Sequence, residues 1–233
     1  MRPIVITLVL LAVIGLLVQS HVYLATRLVL DPGVAEPWRR LALVAIAFLG
    51  CTIVLEPIRE RLLPPRRLRW LAWCASIWMG VWFLSMTLLL ATDLALWLVT
   101  GTASAASVSE PEVLSQAGLR AAGVALLTLL AGGVALRGGL RAPRLVRVAF
   151  EIAAWPQKLD GFRIVQISDI HIGPILDRRF ARHLVERVNE LDPDLVAVTG
   201  DLVDGSAAHL AEEVAPFAGL RGRHGVFFVT GNH

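Results

Sequence analysis

Asp169 and His171 stand two residues apart at the end of an apolar run, Ile164-Val165-Gln166-Ile167. A carboxylate and an imidazole at that spacing suit a borderline divalent cation such as Mn, Fe, Zn or Co. The same ending recurs twice further on. Leu195 to Thr199 ends in Gly200-Asp201, with Asp204 three residues later, and Val226 to Thr230 ends in Gly231-Asn232-His233. Asp201 can bridge to a second ion, to which Asn232 offers a neutral carbonyl oxygen. Two cations about 3.5–4 Å apart can clamp a phosphoryl oxygen and acidify a bridging water into a hydroxide nucleophile. His233 would then stand where it can protonate the leaving oxygen, with Asp204 orienting it. Each residue also has a plainer role: Asp169 as a strand-end cap, Gly200 and Gly231 as turn formers. Convergence of three such endings favours the site for Asp169 and His171, while Asp204 of Asp-Gly stays open between turn and orienting roles.

Those polar endings must be gathered by the elements between them. Asp177 to Leu191 reads as an amphipathic helix with Asp177 as its N-cap and Asp192-Pro193 as its stop. A second helix spans about Ala207 to Leu220. Strand, helix, strand, helix, strand with short loops predicts a parallel sheet, whose carboxyl edge is where ligands collect. In an extended strand residues i and i+2 share a face, so Asp169 and His171 are expected to point the same way with Ile170 opposite. Leu145 to Ile152 alternates as an additional, earlier strand. Arg178, Arg179 and Arg182 read as a solvated helix face, with a lesser claim to a substrate phosphate.

The chain of 233 residues divides near Arg137. Before it come four apolar stretches, at about 4–30, 38–55, 70–99 and 119–136, each about as long as the roughly 20 residues that cross a bilayer, making residues 1–136 a transmembrane region. Pro37 and Pro57 bound the second. The first reads as an uncleaved span because Arg2 is its whole basic flank. Ala and Gly in the fourth suit close helix packing. Asp93, near the end of the third, reads as a hydrated structural residue, and the spans show no paired intramembrane charges by sequence. Residues 137–143 read as a linker and 144–233 as the soluble part. The net charge of +3 is almost wholly arginine, Lys158 being the only lysine. These arginines flank apolar spans without interleaved aromatics on a soluble face, which argues for membrane topology and against nucleic acid. Cys51 and Cys74 both lie in spans and suggest neither a zinc cluster nor a disulfide framework.

The ordered set Asp169-x-His171, Gly200-Asp201-Leu202-Val203-Asp204-Gly205 and Gly231-Asn232-His233 resembles the calcineurin-like metallophosphoesterase superfamily, and its bacterial membrane-anchored branch in particular. The resemblance covers about residues 144–233. It implies part of an αββα sandwich behind the N-terminal helical bundle, and two divalent ions of unsettled identity. Asp169 and His171 would hold the first ion, Asp201 would bridge, Asn232 would bind the second, and His233 with Asp204 would be catalytic. It implies a phosphoester hydrolase using metal-bound hydroxide on a phosphorylated substrate; the membrane anchor, and not the resemblance, points to a substrate that is lipid-linked or membrane-proximal. The family's later histidine motifs are absent from the sequence, so a fragment ending at His233 is expected to be inactive, and a non-catalytic, ligand-sensing domain is the alternative.

Arg59, Arg61, Arg66, Arg67 and Arg69 follow the second span and Arg137, Arg141, Arg144 and Arg147 follow the fourth, whereas residues 101–118 carry no Lys or Arg. The positive-inside rule places both termini and the soluble part in the cytoplasm, at the inner membrane. Arg27, Arg39 and Arg40 pull weakly the other way. A reporter fused after Arg147 is expected to behave as cytoplasmic; activity only in an exported compartment would reverse the assignment.

Overall fold

The computed structural model describes residues 2–64, 66–100, 110–205 and 207–231. Four long helices come first: α1 (Arg2–Ala25), prolonged by a π-helical turn at Thr26–Leu30, α2 (Trp38–Leu62), α3 (Arg69–Thr100) and α4 (Glu110–Gly139). Each is long and apolar enough to cross a membrane. Pro57 does not stop α2, which runs on to Leu62. A proline removes one rung of the ladder, and in a lipid-facing helix the remaining backbone groups have no better partners than each other. The chain then forms two compact units, Met1–Pro57 with Trp73–Gly139, and Ile58–Ala72 with Leu140–His233.

In the first unit Leu24, Trp78, Leu89 and Val124 form the buried centre. Polar groups inside it are paired. Trp78 donates to His21 Nε2 at 3.0 Å, Trp82 to Ser20 Oγ at 3.0 Å, and Ser85 meets Thr128 at 3.2 Å. Asp93 is more tightly engaged than its sequence position suggested. It accepts from the Tyr23 hydroxyl at 2.5 Å and from Arg27 Nη2 at 3.0 Å, and it pairs with Arg120. The expected lack of paired charges in the spans is therefore corrected: α1, α3 and α4 are joined through one carboxylate, because a charge in this setting persists only with partners. The glycines of α4 are not its packing surface either. A Cβ at Gly123, Gly132 or Gly133 would touch nothing within 4 Å, whereas Ala121, Val124 and Thr128 are buried on one helical face. The tight glycine is Gly50, where a Cβ would sit 2.8 Å from His21.

The second unit holds a three-stranded parallel sheet, β1 (Ile164–Ile167), β2 (Leu195–Thr199) and β3 (Val226–Val229), in the order β1-β2-β3. Helix α5 (Arg178–Asn189) joins β1 to β2; α6 (Ala207–Val214) and a 3-10 turn (Ala215–Gly219) join β2 to β3. Register is parallel throughout, with Ile164 opposite Leu195 and Val196 opposite Val226. The core lies between the sheet and α5. Ile167, Val196 and Val198 pack with Ala181, Leu184 and Val188, spaced to form one apolar stripe. Leu145 to Ile152, expected as a strand, pairs with no other strand among the described residues. Its apolar side chains Leu145, Val146, Val148, Phe150 and Ile152 are exposed, since alternation supplies a strand's faces but not its partner.

Helix α5 begins where its cap predicts. Asp177 Oδ1 accepts from the N–H groups of Arg179 at 2.9 Å and Phe180 at 3.4 Å, while Oδ2 takes Arg69 Nη1 at 2.9 Å. Burial pushes the Asp177 carboxyl up, but the hydrogen bonds from Arg69 and those two N–H groups outweigh it and hold it below the ordinary carboxylate value. A carboxyl lowered by folding adds stability that is present above its unfolded value near pH 4 and is lost as pH falls through the lower folded value. Asp177→Ala is therefore expected to cost about 1 kcal/mol in unfolding titrations from pH 7 down to pH 5, with the difference shrinking below about pH 4.

Candidate metal centre

Strand β1 ends at Ile167, before the residues it delivers. Asp169 and His171 have φ of 54° and 53°, and Asp201, after β2, has φ of 41°. All three lie in the left-handed region, where Asp and His are more tolerated than most residues. The expectation that strand alternation aligns Asp169 with His171 is thus corrected: two left-handed residues, with Ile170 buried between them, turn both toward Asp201. Their ligand atoms all lie within 4.8 Å of one another.

This conformation costs of order 1–3 kcal/mol per residue and persists only where neighbours determine it. Here the two loops bind each other. Asp169 N–H donates to Gly200 O at 3.4 Å, His171 N–H to Asp201 O at 3.0 Å and Ile172 N–H to Leu202 O at 2.9 Å, with Asp204 N–H returning to Ile172 O at 2.9 Å. Ile172, fully buried, bridges in parallel to Val203. Ser168 donates to the Asp169 carboxylate and, at 2.9 Å, to Thr199 O.

Two glycines let a third loop approach. Gly200 has φ of 91°, and a Cβ there would meet Gly231 Cα at 3.1 Å; a Cβ at Gly231 would collide with the Asp201 carboxylate. Gly231 thus brings the end of β3 against Asp201. Asn232 and His233, expected as second-ion ligand and acid, lie outside the described residues.

Asp204 contacts a partner that the sequence did not assign to it: its Oδ1 stands 2.5 Å from His171 Nδ1. That hydrogen bond raises the His171 value above the ordinary imidazole range; partial burial opposes it, and the charges of Asp204, Asp201 and Asp169 add to it. A carboxylate on one ring nitrogen fixes tautomer and orientation and strengthens the other nitrogen as a donor, the arrangement that metal-ligating histidines use. The turn role is present as well, since Gly205 follows with φ of 119°. Two carboxylates and an oriented imidazole at this separation fit a divalent cation of the Mn, Fe, Zn or Co group.

Residues 162–233 match the family of calcineurin-like phosphoesterases. Among curated proteins, a transmembrane protein with metallophosphoesterase domain from Danio rerio is 35% identical over 108 residues, 46% of this chain and 25% of that protein. Its counterpart from Bos taurus is 37% identical over 115 residues, 49% and 26% of the two chains. The UDP-2,3-diacylglucosamine pyrophosphatase LpxG of Chlamydia trachomatis is 34% identical over 95 residues, 39% and 29%. The matched part thus spans about a quarter of the length of these relatives. No solved structure matches. The chain carries, in residues 162–233, a calcineurin-like metallophosphoesterase domain behind four apolar helices of membrane-spanning length.

Sequence reasoning did not single out Ser168 or the Asp204–His171 pair, although the Ser-Asp-x-His string holds the first and the DLVDG string the second. Gly231→Ala is expected to weaken Mn binding, measured by titration calorimetry, by about tenfold or more through displacement of Asp201. Unchanged affinity would remove Gly231 from the centre.

Proposed function

We propose that this protein is a membrane-anchored, metal-dependent phosphoester hydrolase acting on an amphiphilic, lipid-linked phosphate or pyrophosphate. The observation that carries the reading is the meeting of Asp169, His171 and Asp201 within 4.8 Å beyond adjacent parallel strands. In this reading Asp169 and His171 hold one divalent ion, Asp201 is shared, and Asn232 serves a second. Bound cations of this kind polarise a phosphoryl oxygen and lower the pKa of a water. The protein's own groups do the rest. Ser168 holds Asp169, Asp204 holds the His171 ring, and His233 gives a proton to the departing oxygen. Gly200 and Gly231 let the loops after β2 and β3 pack against each other, which keeps the Asp201 carboxylate in place.

The lipid-linked class rests on two supports. Gly205, next to Asp204, packs near Glu60 of α2, a Cβ there lying 3.3 Å from Glu60 Oε1. A site whose loop touches the last turns of a spanning helix is suited to a phosphate held at a membrane surface. The second support is the relative named as a pyrophosphatase of a diacylated sugar nucleotide. The arginine distribution favours a cytoplasmic site at the inner membrane.

The test is hydrolysis of an aryl phosphodiester by the full-length protein with and without Mn. Mn-dependent turnover that Asp201→Ala lowers at least a hundredfold is the expected result. Turnover indifferent to both chelator and Asp201→Ala would sink the proposal.

A further inference from the structure

Two arginines between the second and third spans, which the sequence assigned to topology, reach into the framework of the metal-binding loops. Arg69 lies at the first position of α3, and its guanidinium forks over the loop that follows His171: Nη1 to Asp177 Oδ2 at 2.9 Å and Nη2 to Ile175 O at 3.4 Å. Arg66 donates through Nε to Glu213 Oε1 at 2.9 Å and meets Glu212 at 3.1 Å. Glu213 is 5% exposed, on the last turn of α6, and its other oxygen accepts from Arg178 N–H at 2.8 Å. Both arginines therefore converge on the N-terminus of α5, Arg69 through Asp177 and Arg66 through Glu213.

Exposed ion pairs are worth little, and Arg66 is itself 60% exposed in its side chain. Burial of the acid decides the matter. Glu213 has its charge out of water, so loss of Arg66 leaves it with the Arg178 N–H as its remaining described hydrogen bond. Arg69 differs in kind, because it ties down a backbone carbonyl as well as a carboxylate. The segment it grips, Gly173 to Asp177, has His171 just before it, and Ile172 is laced to Leu202 and Asp204 of the other ligand loop.

We infer that Arg66 and Arg69 are positioning residues of the metal centre: the segment between two membrane spans braces the loops that carry His171 and Asp201. This rests on the metal-centre reading above. The inter-span segment and the metal-binding loops belong to the same compact unit, so these arginines do more than set topology.

The test measures Mn affinity of the full-length protein in nanodiscs by titration calorimetry, alongside kcat and KM for a soluble aryl phosphodiester. Arg69→Ala is expected to raise the Mn Kd about tenfold, the cost typical of a lost supporting contact around a metal ligand, with kcat reduced and KM nearly unchanged. Arg69→Lys, which keeps the charge but not the fork, should recover only part of it. Arg66→Ala and Glu213→Gln should each weaken Mn binding, and their double variant should add little to either single, since Gln keeps an acceptor for Arg178 N–H. If Arg69→Ala does not fold, Arg69→Lys and Arg66→Ala carry the test. A wild-type Mn Kd matched within twofold by both Arg69→Lys and Arg66→Ala overturns the inference alone; wild-type protein that binds no Mn overturns the metal reading together with it.

Discussion

The parallel ladder between β1 and β2 does not stop where the strands do. It continues as hydrogen bonds from Asp169, His171 and Ile172 to Gly200, Asp201 and Leu202, and the site depends on that continuation. Left-handed Asp169, His171 and Asp201 would relax into ordinary loop conformations without it. With it, three side chains able to hold a metal ion are turned to one point by backbone bonds made on their own residues. Ile172, wholly buried between the loops, adds an apolar lock to the same seam. The centre is thereby preorganised by the fold, before any cation contributes.

Charge withdrawn partly or wholly from water sets the second constraint, and each compact unit answers it alike. Asp93 is met by Tyr23, Arg27 and Arg120 from two other helices. Glu213 is met by Arg66 and the start of α5, and Asp177 by Arg69 and the same helix start. Glu213 is nearly enclosed, so removing its partner strands a charge away from water. The Asp93 and Asp177 side chains keep exposures of 25% and 23% and are held more by geometry than by enclosure. These acids therefore fix geometry as much as they stabilise it.

What was legible in the sequence had a local cause. The apolar runs of β1 to β3 and the Asp177 cap each announce themselves within a few residues, and parallel order followed from the helices between them. The ordered motifs likewise named Asp169, His171 and Asp201 as neighbours. What was not legible depended on distant partners. Strand periodicity was carried too far at Asp169 and His171, because left-handed turns at those positions are imposed by the β2 loop. Leu145 to Ile152 has a strand's alternation without a strand to pair with. Pro57 looks like a stop, yet α2 continues past it. The pairing of Asp93 with Arg27 and Arg120 joins residues 66 and 27 positions away, and that of Arg69 with Asp177 joins residues 108 apart, which no window of sequence displays. Asn232 and His233 remain proposals drawn from their motif.

Pulsed electron paramagnetic resonance of the Mn-loaded, full-length protein, with histidine labelled by nitrogen-15, tests the central claim most directly. The account predicts hyperfine coupling from a directly bound imidazole nitrogen at the first equivalent of Mn, removed by His171→Gln and retained in His183→Gln. Coupling that survives His171→Gln, or bound Mn with no nitrogen in its coordination sphere, would contradict it.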